Sequence, residues 1–134
     1  MRQRNSEADI ERTCSDFLAL DGWRSLKTDP CSDRARGKGF GEVGMADRLY
    51  LRYEPKPVET PNRQELGSIW PGCEVAWIEW KSKRGKPTPE QIAWHQVERA
   101  RGALTWIAGV DFPASIEGFM QFYRESGLLR RAGL

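Results

Sequence analysis

The chain has 134 residues, 39% hydrophobic and 30% charged, with a formal net charge of +2. That length suits one domain with core enough to fold alone. No apolar run nears the ~20 residues of a membrane helix, so no membrane is expected. The start, Met1-Arg-Gln-Arg-Asn, leads into no hydrophobic segment, which implies no signal peptide and a cytoplasmic, intracellular location. Three cysteines (Cys14, Cys31 and Cys73) without a CxxC argue against a disulfide framework or a thiolate zinc site. Cys14 is expected to pack in a helix, and Cys31 and Cys73 to lie in loops. The single histidine, His95, excludes chemistry built on paired histidines. Carboxylates and lysine are left to carry any reaction.

Ser6 to Leu20 reads as a helix. Ser6 caps it, Asp9 completes a capping box, and Ile10, Cys14, Phe17 and Leu18 form one apolar stripe. Glu7 and Glu11 lie one turn apart and share a face. Trp23 to Lys27 is a short strand. Thr28 to Val43 reads as a long basic loop carrying the acid-free cluster Arg34, Arg36 and Lys38. Asp47 then opens a strand that alternates polar and apolar residues to Tyr53. Glu54 to Gly72 holds Pro55, Pro57, Pro61 and Pro71, and reads as an excursion between strands.

The next strand, Glu74 to Ser82, is aromatic and β-branched. Alternation puts Glu79 and Lys81 on one face and Trp80 on the other, in the core. Glu79 and Lys81 are either a salt bridge or a catalytic pair. A second acid-free basic cluster follows, Lys83, Arg84 and Lys86. Such runs are commonly solvated loops, but two of them flanking one site suit a polyanion.

Thr88-Pro89-Glu90-Gln91 starts a helix, with Thr88 as cap and Gln91 completing the box. Ala93, Val97, Ala100 and Leu104 are expected on its buried side, with Gln91, His95 and Glu98 on a more polar face. Gly102 closes it. Leu104 to Val110 is a strand, and Pro113 or Ala114 to Glu125 is a helix with Ile116, Phe119, Met120 and Tyr123 as its stripe. Gly127 stops that helix, and the tail is basic at Arg130-Arg131. The order is α-β-β-β-α-β-α, an α+β arrangement. The strand–helix–strand unit implies a right-handed crossover and a parallel pair within a mixed sheet flanked by helices.

Adjacent strands lie about 4.8 Å apart, which brings Asp47 near Glu79 if the register allows. Two carboxylates that close repel unless a cation separates them, and hard oxygen donors select Mg²⁺ or Mn²⁺. Lys81 would hold or help deprotonate a water and offset charge developing on a phosphate. Gln91 would orient the lysine or a water, or serve only as a cap. Glu11 or Glu7 adds an acid from the first helix.

Gly44-x-x-Asp47, Ile78-Glu79-Trp80-Lys81 and Thr88-Pro-Glu-Gln91, in that order, resemble the VRR-NUC branch of the PD-(D/E)XK nuclease superfamily. The resemblance runs from about residue 6 to 127 and includes the later Gly102-Ala-Leu-Thr-Trp-Ile-Ala segment. It implies a restriction-endonuclease-like sheet and a Mg²⁺-dependent endonuclease acting on DNA. It further implies Asp47, Glu79 and the Trp80 main-chain carbonyl as metal ligands, Lys81 as the catalytic lysine, and Gln91 as the helix glutamine. Glu11, within Ile10-Glu11-Arg12, matches the helical acid of the family better than Glu7 does. Ala46 stands where the family has proline, Trp80 where it has a small aliphatic residue, and the 54–72 excursion is longer than in compact members. Stand-alone members resemble phage and bacterial nucleases that favour branched or flapped DNA, some being homodimers like junction resolvases. A phage-encoded enzyme at work in a bacterial host, and a homodimer, are what that implies here. Arg34, Arg36, Lys38, Lys83, Arg84 and Lys86 would grip backbone phosphates. The alternatives are a DNA-binding or assembly module of the same fold without catalysis, and a protein-interaction module in which Glu79–Lys81 is only a salt bridge.

Overall fold

A computed structural model describes residues 5–28, 41–53 and 72–134. Helix α1 spans Glu7–Leu20, and its capping box forms as the sequence suggests. The Ser6 hydroxyl accepts from the Asp9 amide at 3.1 Å, and the Asp9 carboxylate takes the Ser6 amide at 3.2 Å. Its stripe of Ile10, Cys14, Phe17 and Leu18 is buried. Strands β1 (Arg24–Lys27), β2 (Arg48–Tyr53) and β3 (Cys73–Glu79) follow, then α2 (Pro89–Ala100), β4 (Leu104–Ile107) and α3 (Ile116–Glu125). The order α-β-β-β-α-β-α is thus the observed one.

The four strands form one mixed sheet in the order β1-β2-β3-β4. β1 and β3 each pair antiparallel with β2, while β4 runs parallel to β3 across the α2 crossover. Several boundaries shift. β3 starts at Cys73, which therefore opens a strand rather than lying in a loop, and ends at Glu79 rather than Ser82. β4 stops at Ile107, with a lone bridge from Ala108 to Phe112 beyond it. The Arg34–Lys38 cluster, Cys31 and nearly all of the 54–72 excursion lie outside the described residues. Among the described residues no helix is long and apolar enough to cross a membrane.

Alternation along the strands divides the sheet into two faces. On the first, Tyr50, Ala76 and Ile78 meet Ile10, Cys14, Phe17 and Leu18 of α1 and Phe119 and Tyr123 of α3. Trp80 stands at the centre of this core, fully buried, with ring centroids 4.9 Å from Phe119 and 5.7 Å from Phe112. Its indole N–H donates to the Tyr50 hydroxyl at 2.9 Å, so the one polar atom of the side chain is satisfied. The second face carries α2, whose Trp94 packs edge-on against Trp77 at 5.1 Å.

The orientation of α2 overturns the sequence expectation. Trp94 and His95 are its buried residues, while Ala93 and Ala100 are exposed, Val97 is 51% exposed and Leu104 37%. The inward stripe is the polar one, because the sheet beneath it presents polar partners. Gln91 meets Glu79, and His95 Nδ1 pairs with the Thr105 hydroxyl. Burial pushes the His95 imidazole down to about 4, so it stays neutral. Trp94 offers more apolar area than the two alanines together and takes the remaining inward place.

At the end of β2 away from Asp47, a second polar cluster joins chain segments far apart in sequence. Arg52, buried, places Nη1 3.0 Å from the Asp21 carboxylate, pairs with Glu74 and lies 4.6 Å over the Trp23 ring. Asp21 also accepts the main-chain amides of Arg130 at 3.0 Å and Arg131 at 2.7 Å, and the Tyr123 hydroxyl. Burial alone would raise its carboxyl. The Tyr123 hydroxyl, these two amides and the Arg52 charge outweigh it and hold Asp21 below its ordinary value. Removing one partner of a buried ion pair leaves an uncompensated charge. Arg52→Met is therefore expected to lower the unfolding free energy by about 3–5 kcal/mol, read from urea denaturation. A loss under about 1 kcal/mol would show the cluster to be dispensable.

Candidate active site

The register of β2 on β3 builds the site. Its last pair is Arg48 opposite Ile78, so Asp47, the residue before β2, stands opposite Glu79. The Asp47 amide donates to Glu79 Oε2 at 3.0 Å. β1 fixes Asp47 from the other side, the Thr28 amide donating to its carbonyl at 2.9 Å. Ala46, completely buried, gives its carbonyl to the Thr28 hydroxyl at 2.5 Å.

Glu79 is 1% exposed. Its Oε1 accepts from Gln91 Nε2 at 2.8 Å and lies 3.2 Å from Lys81 Nζ. Three donors thus converge on one carboxylate. Burial nevertheless pushes Glu79 up to about 7, and the neighbouring Asp47 charge adds to the rise against the pull of Lys81. Asp47 is raised as well, first by burial, although hydrogen bonding with the Glu79 carboxyl and the Lys81 charge oppose it. The two carboxyls therefore resist ionising together, and a proton or a cation between them relieves the conflict.

Both helical acids lie close to this pair. Glu7 is raised by burial, with Lys81 lowering it and Asp47 and Glu11 raising it, and its carboxylate takes the Ser82 amide. Glu11 is engaged by the Arg48 guanidinium and still adds its charge to that felt by Asp47. Glu7 is therefore the acid that faces the lysine, and Glu11 the one tied to β2. Gln91 serves as the expected cap and has a second partner. Its Oε1 accepts the Thr88 amide at 2.9 Å and its own amide donates to the Thr88 hydroxyl at 3.2 Å, closing the capping box. The remaining Nε2 is then aimed at Glu79. It thus orients the carboxylate, in place of the lysine or water expected from the sequence.

Gly44 explains why the chain can bring Asp47 here. It adopts φ +80°, and a Cβ built on it would lie 2.2 Å from the Glu90 carbonyl oxygen in the first turn of α2. Only glycine permits so close an approach of loop and helix. Glu42 reinforces the contact, accepting the Trp94 indole N–H at 2.7 Å. Nothing in the sequence pattern marks that clamp, because its partners are far apart in the chain and neither belongs to a motif. Lys27 is likewise absent from the sequence reading. It is exposed at the end of β1, and its charge is felt by Asp47. Lys83, Arg84 and Lys86 follow β3 in a turn closed by the Gly85 amide on the Ser82 carbonyl at 2.9 Å, and all three are exposed. Arg34, Arg36 and Lys38 are not among the described residues.

Among the described residues, no group of three or more His, Cys, Asp or Glu side chains is disposed to hold a metal. The donor set is smaller: two carboxylates in mutual conflict, with the Trp80 main-chain carbonyl next in sequence to Glu79. That set fits Mg²⁺, which is commonly held by one or two carboxylates, with waters and substrate phosphate oxygens completing the shell.

No family model matches the chain, and no match was found among curated proteins or solved structures.

Two outcomes test this geometry. Gly44→Ala is expected to lower stability by about 2–4 kcal/mol and to change Trp94 fluorescence, combining the positive φ with the collision on Glu90. Gly102→Ala also has a positive φ, +95°, but nothing lies within 4 Å of the new Cβ. It should cost only about 1 kcal/mol. The second outcome concerns pH without divalent metal. Glu79 sits at about 7 in the folded chain against 4.5 as its ordinary value, so the folded state holds an extra proton between them. Stability should therefore fall as pH rises from 4.5 through 7, by on the order of 2 kcal/mol, in thermal melts in EDTA. Glu79→Gln should flatten that slope, and an unchanged slope would show that another group titrates.

Proposed function

We propose that this protein is a Mg²⁺- or Mn²⁺-dependent endonuclease that hydrolyses DNA phosphodiesters, of the VRR-NUC type. The observation that carries the reading is the convergence of Asp47, Gln91 and Lys81 on the buried Glu79 carboxylate. Acid-free basic side chains lie just beyond it. A purely structural ion pair needs no second, half-buried carboxylate beside it, and that carboxylate raises the energy of the folded chain.

Asp47, Glu79 and the Trp80 carbonyl would hold the cation, with Glu7 or Glu11 near enough to join through a water. When bound, the cation supplies Lewis acidity toward a phosphoryl oxygen and a lowered pKa for water. Lys81 positions the attacking water, takes part in its deprotonation and offsets charge building on the phosphate. Gln91 and the Asp47 amide keep Glu79 oriented, so that its lone pairs are presented in one direction. Lys83, Arg84 and Lys86, with Arg34, Arg36 and Lys38, neutralise flanking phosphates. Binding should accordingly weaken steeply with salt. Branched or flapped DNA is the preferred substrate class by resemblance, and a homodimer the implied assembly.

The 3.2 Å Lys81–Glu79 pair also favours a second reading, a DNA-binding module of this fold in which the lysine is spent on the ion pair. Labelled linear, flapped and four-way-junction DNA, each with Mg²⁺, Mn²⁺ or EDTA, separates the two. Metal-dependent cutting that falls at least about a hundredfold in Lys81→Met and Asp47→Asn is the expected result. Binding without metal-dependent cutting would establish the inactive module. Full activity in both variants would remove the site assignment.

A further inference from the structure

Between α1 and the β1–β2 side of the sheet lies an open cleft of about 500 Å³. Glu11, Arg12, Ser15, Asp16, Ser25 and Arg48 line it. Two guanidiniums face two carboxylates, so the lining carries no net charge. A bare phosphate gains little in such a field. A flat, neutral group with several hydrogen-bonding edges suits it better, because the walls offer donors and acceptors together. Arg48 is held by Glu11 and lies 3.4 Å from the Ser25 hydroxyl, while the Ser15 hydroxyl lies 2.8 Å from that of Tyr50. These side chains are thus already fixed for a ligand. Arg12, 73% exposed at the rim, is held by Asp9 at 3.0 Å, and the face of its plane is left open to a ring. The volume falls within the roughly 300–1,000 Å³ of small-ligand sites.

The cleft lies at the same end of β2 as the Asp47–Glu79 centre, on the α1 side of the sheet. Arg48 follows Asp47 in the chain and points to the opposite face, and Glu11 both lines the cleft and adds to the charge felt by Asp47. Lys27 pairs with Arg48 across β1 and β2. It is exposed and forms no ion pair among the described residues.

We infer that the cleft receives the base and sugar of an unpaired nucleotide next to the phosphate held at Asp47 and Glu79, with Lys27 on the intervening backbone. The inference rests on the nuclease reading and deepens it. A base still paired in a duplex would have to bring its partner strand with it, so the cleft selects DNA that is single-stranded at that position.

The test is a binding comparison in Ca²⁺, with a blunt duplex and the same duplex carrying a short single-stranded overhang. The wild-type chain should bind the overhang form about tenfold tighter. Ala8 also lines the cleft, and both it and Asp16 are exposed on α1. Ala8→Trp and Asp16→Trp, each confirmed folded by thermal melting, should fill the cleft and bring the ratio to about one. Lys27→Ala should weaken both duplexes alike and reduce the salt slope by about one. Equal wild-type affinity for the two DNAs would overturn the inference, as would a preference that survives both tryptophan variants. Metal-dependent cutting of DNA would still leave the nuclease reading standing in either case. Failure to bind or cut any DNA would instead bring down the nuclease reading, and this inference with it.

Discussion

The pairing register of β2 with β3 is the constraint on which the site depends. From Tyr53 opposite Cys73 to Arg48 opposite Ile78 the ladder is unbroken, and its next step sets Asp47 against Glu79. A slip of one residue would turn every side chain of β2 to the other face. Asp47 would then point toward the α1–α3 core, and Arg48 would oppose Glu79. Two contacts resist the slip from the first face. The Tyr50 hydroxyl is held by the Trp80 indole, and Arg52 is held by Glu74 and Asp21. Core packing, the Arg52 cluster and the carboxylate pair are therefore three results of one alignment.

The two ends of β2 are opposite in electrostatic character. At the Arg52 end, buried charges are matched and Asp21 is stabilised as an anion. At the Asp47 end, a half-buried acid stands beside a buried one and both are driven toward their neutral forms. A fold tolerates that kind of conflict where function requires it, while the rest of the structure supplies the stability. Here the supply comes from the aromatic core around Trp80 and from the fully partnered cluster at the far end of the strand.

Local signals were legible in the sequence and long-range ones were not. The capping boxes at Ser6 and Thr88, the alternation that buries Trp80, and the strand–helix–strand crossover all depend on neighbours in the chain. Asp47, Glu79, Lys81 and Gln91 could be selected because their residue types and order limit the chemistry, and the structure brings all four together. The orientation of α2 was hidden for a physical reason. Its alanine and valine spacing describes an apolar stripe, but which stripe turns inward depends on what the sheet offers, and here it offers Glu79 and Thr105. The Arg52–Asp21 pair and the Glu42–Trp94 clamp were equally hidden, since each joins residues that no periodicity relates.

Gln91 narrows the sequences this fold can use. Its two amide atoms are committed to different tasks, the oxygen to starting a helix and the nitrogen to orienting a carboxylate. Glutamate would keep the first task and set another acid directly against Glu79. Asparagine is one methylene too short to span both partners, and an apolar residue serves neither. No other natural side chain of that reach has both a donor and an acceptor at its tip. The start of a helix and the aim of the site are therefore specified by the same codon, and selection on either one acts on both.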